Sequence, residues 1–175
     1  MSILGIYLQA QPEQPLKMLT HHEDIAAELA PLGVTLERWQ PATPISATAS
    51  DDELLAAYRQ PVAALLDGQG YTGHALLRHD HPSLAERLGE HRQVGGEAFL
   101  CLSGRALFSL PHGEYVYRVL CERHDLLSLP AGTQHWLDLG ENPYFVVIRC
   151  TRGEAPESSA GSLAEYFPSL DDLGL

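Results

Sequence analysis

The chain has 175 residues and a mass of 19.2 kDa, room for one ordinary domain with a core that needs neither disulfide nor metal for folding alone. Eleven Lys and Arg against 23 Asp and Glu leave a formal net charge of −12, which repels phosphate backbones and anionic lipid and argues against nucleic-acid or membrane-surface partners. Hydrophobic residues at 45% and charged residues at 19% are the balance of a globular chain, not a disordered one. The cysteines Cys101, Cys121 and Cys150 are odd in number and lack metal-type spacing, so they read as free thiols of a reducing compartment. No uncharged apolar run approaches a membrane span, and Met1–Ala10 lacks a basic start with a cleavable apolar stretch. The expectation is a soluble cytoplasmic protein, monomeric or a small homo-oligomer.

In chain order, Ile3–Leu8 alternates as a sheet-edge strand does. Thr20-His21-His22-Glu23 has the form of a capping box, with Thr20 as N-cap of a helix that carries Ile25, Ala26, Leu29 and Ala30 and closes at Pro31. Val34–Trp39 reads as a strand. Ser50-Asp51-Asp52-Glu53 is a second capping box, followed by the stripe Leu54, Leu55, Tyr58, Val62 and Leu65. Pro61 interrupts that stripe and predicts a kink or two short helices. Gly68-Gln69-Gly70 ends it, and Tyr71–Leu77 returns to extended structure.

From about residue 90 short β-branched and aromatic runs replace the helical pattern. Glu97–Leu102, Arg105–Leu110, Tyr115–Cys121, Asp125–Leu129 and Tyr144–Cys150 are strand candidates. Ser103-Gly104, Pro111-His112-Gly113 and Glu141-Asn142-Pro143 are the expected turns. Close-spaced strands of this kind predict an antiparallel barrel or jelly roll. Gly153–Gly161 reads as a loop and Ser162–Phe167 as a short helical stretch. The whole is one domain, with a helical region over about 1–80 and barrel strands over about 90–150.

Two segments carry chemistry. His91, Gln93, Glu97 and Phe99 are all odd-numbered, so on one extended segment they share a face; Gly95-Gly96 permits a bulge that would interrupt the parity. About 40 residues on, Asp125–Leu129 ends in Pro130-Ala131-Gly132, a turn that presents His135. Two imidazoles and a carboxylate suit Fe(II), Ni(II), Mn(II) or Zn(II), with open positions for substrate or O2. His21, His22, His74, His112 and His124 lack such spacing and read as surface or capping residues. His79 and His81 form an alternating pair, but Pro82 breaks the strand there.

These segments resemble the two motifs of the cupin superfamily. His91-x-Gln93-x3-Glu97-x6-Gly104 follows G-x5-H-x-H-x3-4-E-x6-G except at the second His, and Pro130-x-Gly132-x2-His135 follows P-x-G-x2-H throughout. The likeness narrows to the acireductone dioxygenase family. Val116-Tyr117-Arg118-Val119-Leu120-Cys121-Glu122 and Asp125–Gly140 are similar to that family's V-Y-A-V-L-C-E-x-x-D-L-I-S-V-P-A-G-T-x-H-W-F-D-M-G stretch. Leu16–Trp39 and Phe167-Pro168 extend it over most of the chain. The resemblance implies a cupin β-barrel with flanking helices, one Fe(II) or Ni(II) per chain held by His91, Gln93, Glu97 and His135, and O2-dependent cleavage of an enediol in methionine salvage. It also implies Arg149 as the catalytic, substrate-anchoring cation.

The departures from the family pattern fall in the site. Gln93 stands where the second His ligand would be; its amide oxygen is a weaker, harder donor. Phe99 stands where the pattern has an Arg that holds the enediolate, and a phenyl ring offers neither charge nor a bidentate fork. Leu137 replaces the Phe after His-Trp, Arg152–Glu157 replaces N-P-E-G-W, and the segment between Pro82 and Glu90 is shorter. Phe99, Leu137 and Cys101 are the expected substrate-pocket wall. The sequence therefore implies a metal-dependent dioxygenase whose substrate is altered, less anionic or more hydrophobic. The alternative is a non-redox cupin (isomerase, lyase or small-molecule binding protein) that has lost the methionine-salvage reaction.

Overall fold

The computed structural model describes residues 1–41, 44–46, 48–152, 156–158 and 162–175, with 156–158 described by their backbone alone. The strands run β1 (Ile3–Leu8), β2 (Pro15–Leu19), β3 (Thr35–Arg38), β4 (Gly73–Arg78), β5 (His91–Gln93), β6 (Glu97–His112), β7 (Tyr115–Glu122), β8 (Asp125–Leu129), β9 (Gln134–Asp138), β10 (Phe145–Thr151) and β11 (Pro156–Ser158). The helices are α1 (His22–Leu29), α2 (Asp51–Ala57), α3 (Arg59–Gln69) and α4 (Pro82–Ala85), with single 3-10 turns at Ala30–Leu32, Leu163–Glu165 and Asp171–Leu173. The predicted mainly-β cupin barrel is what the chain forms.

Strand β6 organises it. Its first part pairs with β8 and β10, extending that sheet to β3 and β4. Its second part pairs with β7 and β9, extending the other sheet through β1 and β2 on one side and β5 and β11 on the other. All these pairings are antiparallel. Sequence reading expected two strands with a turn at Ser103-Gly104; one continuous strand runs through instead. The Gly104 carbon has φ +73°, and a Cβ built there would lie 1.8 Å from the Tyr144 carbonyl oxygen, so only glycine lets the strand pass so close to its neighbour. The pairing with β10 slips just beyond, where Val146 faces Ser103 and Val147 faces Cys101.

That slip exchanges the faces of β6. Before it, Phe99 and Cys101 enter the main core; after it, Ala106, Phe108 and Leu110 do. The core between the sheets is completed by Leu4, Ile6, Val119, Leu127, Leu137 and Val147, with Ile25 and Leu29 of α1 closing one end. On the opposite face Ala98, Leu100 and Leu102 pack under Tyr58, Val62 and Leu65. Glu97–Leu102 is therefore buried on both faces, which is why its sequence reads as a continuous apolar run and not an alternation.

The helices follow their local signals with two corrections. Ser50 caps α2, its Oγ accepting from the Glu53 N–H at 3.2 Å, and Asp51, Asp52 and Glu53 sit at the favourable N-terminal end of the dipole. Pro61 splits the stripe as expected, but the break lies at Tyr58, because the proline has no N–H to give and its ring crowds the carbonyl one turn earlier. The N-cap of α1 is His21, not Thr20, and no side chain caps that end. Within the N-terminal 80 residues β1, β3 and β4 fall where strands were expected, while β2 was not expected, and the four join both sheets. The expected loop Gly153–Gly161 lies outside the described residues except at 156–158, which form β11. Among the described residues no helix is long and apolar enough to cross a membrane.

Candidate metal centre

The site forms where three strands meet. Strands β5 and β9 pair so that His91 faces His135 directly, and their ring centroids lie 4.2 Å apart. His91 and Gln93 point inward from β5 while Arg92 between them is exposed, as the two-residue period of a strand requires. Glu97 opens β6 opposite Leu129 of β8. The Pro130–Gly132 turn ties the two motif segments together: Gly132, at φ +76°, donates its N–H to the Gln93 carbonyl at 2.8 Å. His135, which the turn presents as expected, belongs to β9 just after it.

One ligand atom each from His91, Glu97 and His135 lie within 4.8 Å of one another, and all three residues are buried. The Nδ1 of His91 lies 2.8 Å from the Gly89 carbonyl, and the Nδ1 of His135 lies 2.8 Å from the Thr133 carbonyl. A carbonyl only accepts, so each Nδ1 carries the proton and each Nε2 presents a lone pair. Both Nε2 atoms and Glu97 Oε1 are buried without a hydrogen-bond partner. His135 Nε2 and Glu97 Oε1 stand 2.9 Å apart, acceptor against acceptor. Buried orphan acceptors converging on one point are costly unless a cation joins them. The residues present thus fit a divalent metal ion, with the backbone carbonyls behind each imidazole fixing its tautomer.

Electrostatics agree with that role. Burial lowers His91 to about 4, so its imidazole is neutral at ordinary pH. Burial pushes the Glu97 carboxyl upward, while the Arg149 guanidinium, with Nε and Nη2 on Oε2, pulls it down, and the net direction is downward. The carboxylate is therefore ionised.

The other expected site residues surround this cluster. Gln93 is 1% exposed, and its Oε1 accepts from Arg149 Nη2 at 3.2 Å. Arg149, on β10 opposite Phe99, donates from Nε to Glu97 Oε2 at 2.8 Å and has Nη2 at the same distance from that oxygen. Phe99 is fully buried, edge-on to His135 and packed on Phe108 with centroids 4.9 Å apart. Leu137, two residues beyond His135 on β9, is 2% exposed. Cys101 lies deeper in the core, beside Cys121, whose thiol burial pushes well up. The alternative pair separates: His81 caps α4, accepting from Ser83 N–H, while the His79 ring lies against Tyr144.

Sequence reading missed Arg87. It follows α4 in the segment noted only for being short, and it is 2% exposed. Its Nε lies 3.9 Å from Glu97 Oε2 and has no hydrogen-bond partner. An Arg four residues before the first His was the only available signal, and no periodicity marks it as inward-facing.

Comparison with known proteins agrees with this geometry. The model of the ARD/ARD′ family matches residues 6–157. An acireductone dioxygenase of Pseudomonas aeruginosa (strain UCBPP-PA14) is 47% identical, the match covering 98% of this chain and all of the relative. Those of Stutzerimonas stutzeri (strain A1501) and Pseudomonas syringae pv. syringae are 45% and 44% identical over the same shares. Among solved structures, an acireductone dioxygenase from Bacillus anthracis with a cadmium ion in its active centre superposes with a TM-score of 0.73 at 20% identity, over 90% of this chain and 98% of that one; at that identity the likeness concerns the fold. With the family model spanning most of its length and near-half identity to full-length relatives, this chain belongs to the ARD/ARD′ family of acireductone dioxygenases.

Proposed function

We propose that the protein is a metal-dependent dioxygenase that cleaves an enediol-type small molecule with O2. Its metal is Fe(II) or Ni(II), one per chain, held by His91, Glu97 and His135. The observation that carries this reading is the set of three buried, unpartnered ligand atoms with both imidazole tautomers set by backbone carbonyls. When bound, such an ion supplies a template and charge stabilisation for an anionic enediolate and its reaction with O2. Gln93, turned toward Arg149 through its amide oxygen, is a weak or outer fourth group.

The chain's own residues do the rest. Arg149 holds the Glu97 carboxylate in one orientation through two nitrogens, fixing a ligand that would otherwise rotate. Burial of His91, Glu97 and His135 at 3% exposure or less excludes water and strengthens every charge interaction at the site. Phe99 lies edge-on to His135 and Leu137 follows it by two residues on β9, both buried and apolar. With Gln93 and Phe99 in place of an imidazole and a guanidinium, the substrate is altered relative to the family's acireductone, with an apolar portion fitted to Phe99. Such chemistry belongs to the cytoplasm and to a monomer or small homo-oligomer, without nucleic-acid or membrane partners.

Elemental analysis of protein purified without tag or chelator tests the reading first. Near-stoichiometric Fe or Ni is expected, together with O2 uptake matched to enediol consumption. A site that stays empty in the presence of Fe(II), Ni(II), Mn(II) and Zn(II) overturns it. Metal without O2 uptake favours a non-redox cupin, the direction in which Gln93 at a ligand position points. The double change Gln93→His with Phe99→Arg is expected to raise acireductone cleavage.

A further inference from the structure

Two guanidinium groups face the one carboxylate of the site. Arg149 is spent on it, with Nε and Nη2 both 2.8 Å from Glu97 Oε2. Arg87 is not: its Nε stands 3.9 Å from the same oxygen, beyond hydrogen-bond reach, and finds no other acceptor although the residue is 2% exposed. Nor is Arg87 loose. Its Nη1 donates to the Ser83 carbonyl, its N–H to the Leu84 carbonyl at 2.9 Å, and its own carbonyl accepts from the Leu137 N–H at 2.9 Å. Those bonds lock the segment after α4 against β9, the strand that carries His135. The Nε–H is therefore held near the Glu97 carboxylate without an acceptor of its own.

The charge balance tells what belongs there. Glu97 is taken up by Arg149 through two nitrogens, and the second buried guanidinium, Arg87, is left without a hydrogen-bonded carboxylate of its own. A divalent cation adds two more positive charges. A buried cation without a counter-charge is unfavourable, and an anionic oxygen placed on the Arg87 Nε–H would supply one together with a charge-assisted hydrogen bond.

We propose that Arg87 is the substrate-contacting cation of this site, donating its Nε–H to an anionic oxygen of the ligand, while Arg149 serves Glu97. The proposal rests on the metal-site reading above and assigns its substrate to the anions. It reverses the charge part of the expectation drawn from Phe99: the positive charge missing from β6 enters from the loop after α4. Phe99 and Leu137 then select the apolar part of an anionic molecule.

The test uses oxalate, a planar dianion with two adjacent oxygens, titrated by calorimetry into the Ni(II)-loaded full chain. Arg87→Gln is expected to weaken oxalate at least about tenfold, Arg87→Lys to recover most of that loss, and Arg59→Gln, an exposed cation on α3, to change nothing. Ni(II) affinity by chelator competition is expected to stay within about threefold in Arg87→Gln. Unchanged oxalate affinity overturns the proposal. So does a loss of Ni(II) affinity as large as the loss for oxalate, which would make Arg87 a positioning residue for Glu97. Failure of both Arg87 variants to fold would make it a structural cation and overturn the proposal as well. If the wild-type chain takes no Ni(II), the metal reading fails separately; oxalate titrated into metal-free protein then still requires the tenfold difference, and equal or absent binding overturns Arg87 too.

Discussion

Two arginines of this protein are equally buried, at 2% exposure each, and differ in everything else. Arg118, on β7, donates Nε to Ser109 Oγ at 3.0 Å and Nη1 to the Pro168 carbonyl at 2.8 Å, and its guanidinium lies over the rings of Tyr7 and Phe167. It binds the C-terminal segment to the barrel. Arg87 has its backbone and one terminal nitrogen engaged but leaves Nε without an acceptor beside Glu97. A buried cation with its donors satisfied is part of the scaffold. One with an unpaired donor beside unpaired ligand atoms marks where the protein expects something that is not protein.

Three substitutions sharpen this contrast, beginning with the scaffold. Arg118→Ala removes a donor pair and a cation–ring contact in the interior, and is expected to cost about 3–5 kcal/mol of folding stability, read by denaturant unfolding, with metal affinity per folded chain unchanged. Glu97→Gln acts at the other pole. It keeps the shape but deletes the charged ligand, and metal affinity is expected to fall on the order of a hundredfold, about 2.7 kcal/mol, in a chelator competition. A metal affinity within twofold of wild type would remove Glu97 from the ligand set. Gln93→His offers an imidazole for an amide, and about a tenfold gain in Ni(II) affinity, about 1.4 kcal/mol, is expected. No gain would leave Gln93 as a partner of Arg149 alone.

The smallest effect concerns a residue outside both poles. Cys150 is fully buried on β10, and burial pushes its thiol up to about 11, with Arg149 pulling weakly the other way. At pH 8 the folded protein is expected to resist alkylation at Cys150, since the thiolate is the nucleophile. Because the raised value lies above the working range, moving from pH 7 to pH 8 leaves the group protonated and its reactivity low; unfolding in denaturant restores it. Mass spectrometry of iodoacetamide-treated protein reads both. Rapid labelling of the native chain would show that β10 opens locally.

Much of the centre was legible in the chain itself. His91 and Glu97 lie on extended segments where alternate residues share a face, and a Pro-x-Gly turn sets the chain direction before His135, so local geometry alone brings these residue types into view. Ser50 likewise announced its helix, because a side chain bonding three residues ahead needs no distant partner. The first capping box misled: Thr20-x-x-Glu23 offered the same pattern, yet tertiary packing begins α1 one residue later with no side-chain cap. Ser103-Gly104 looked like a turn for the same reason, since a glycine required by the near approach of Tyr144 cannot be told from a turn glycine in one dimension.

The sequence by itself determined the fold family and the strands of the barrel, and it brought His91, Glu97 and His135 into view as candidate ligands, because those depend on periods and spacings within a few residues. Only the tertiary structure decided which cation serves which anion. Arg149 belongs to Glu97 because β10 and β6 pair in that register; Arg87 reaches the same carboxylate because the segment after α4 is bonded to β9. Charge pairing between groups 10 to 52 residues apart falls off over a few ångströms in space and is independent of separation along the chain, so no pattern in the sequence encodes it.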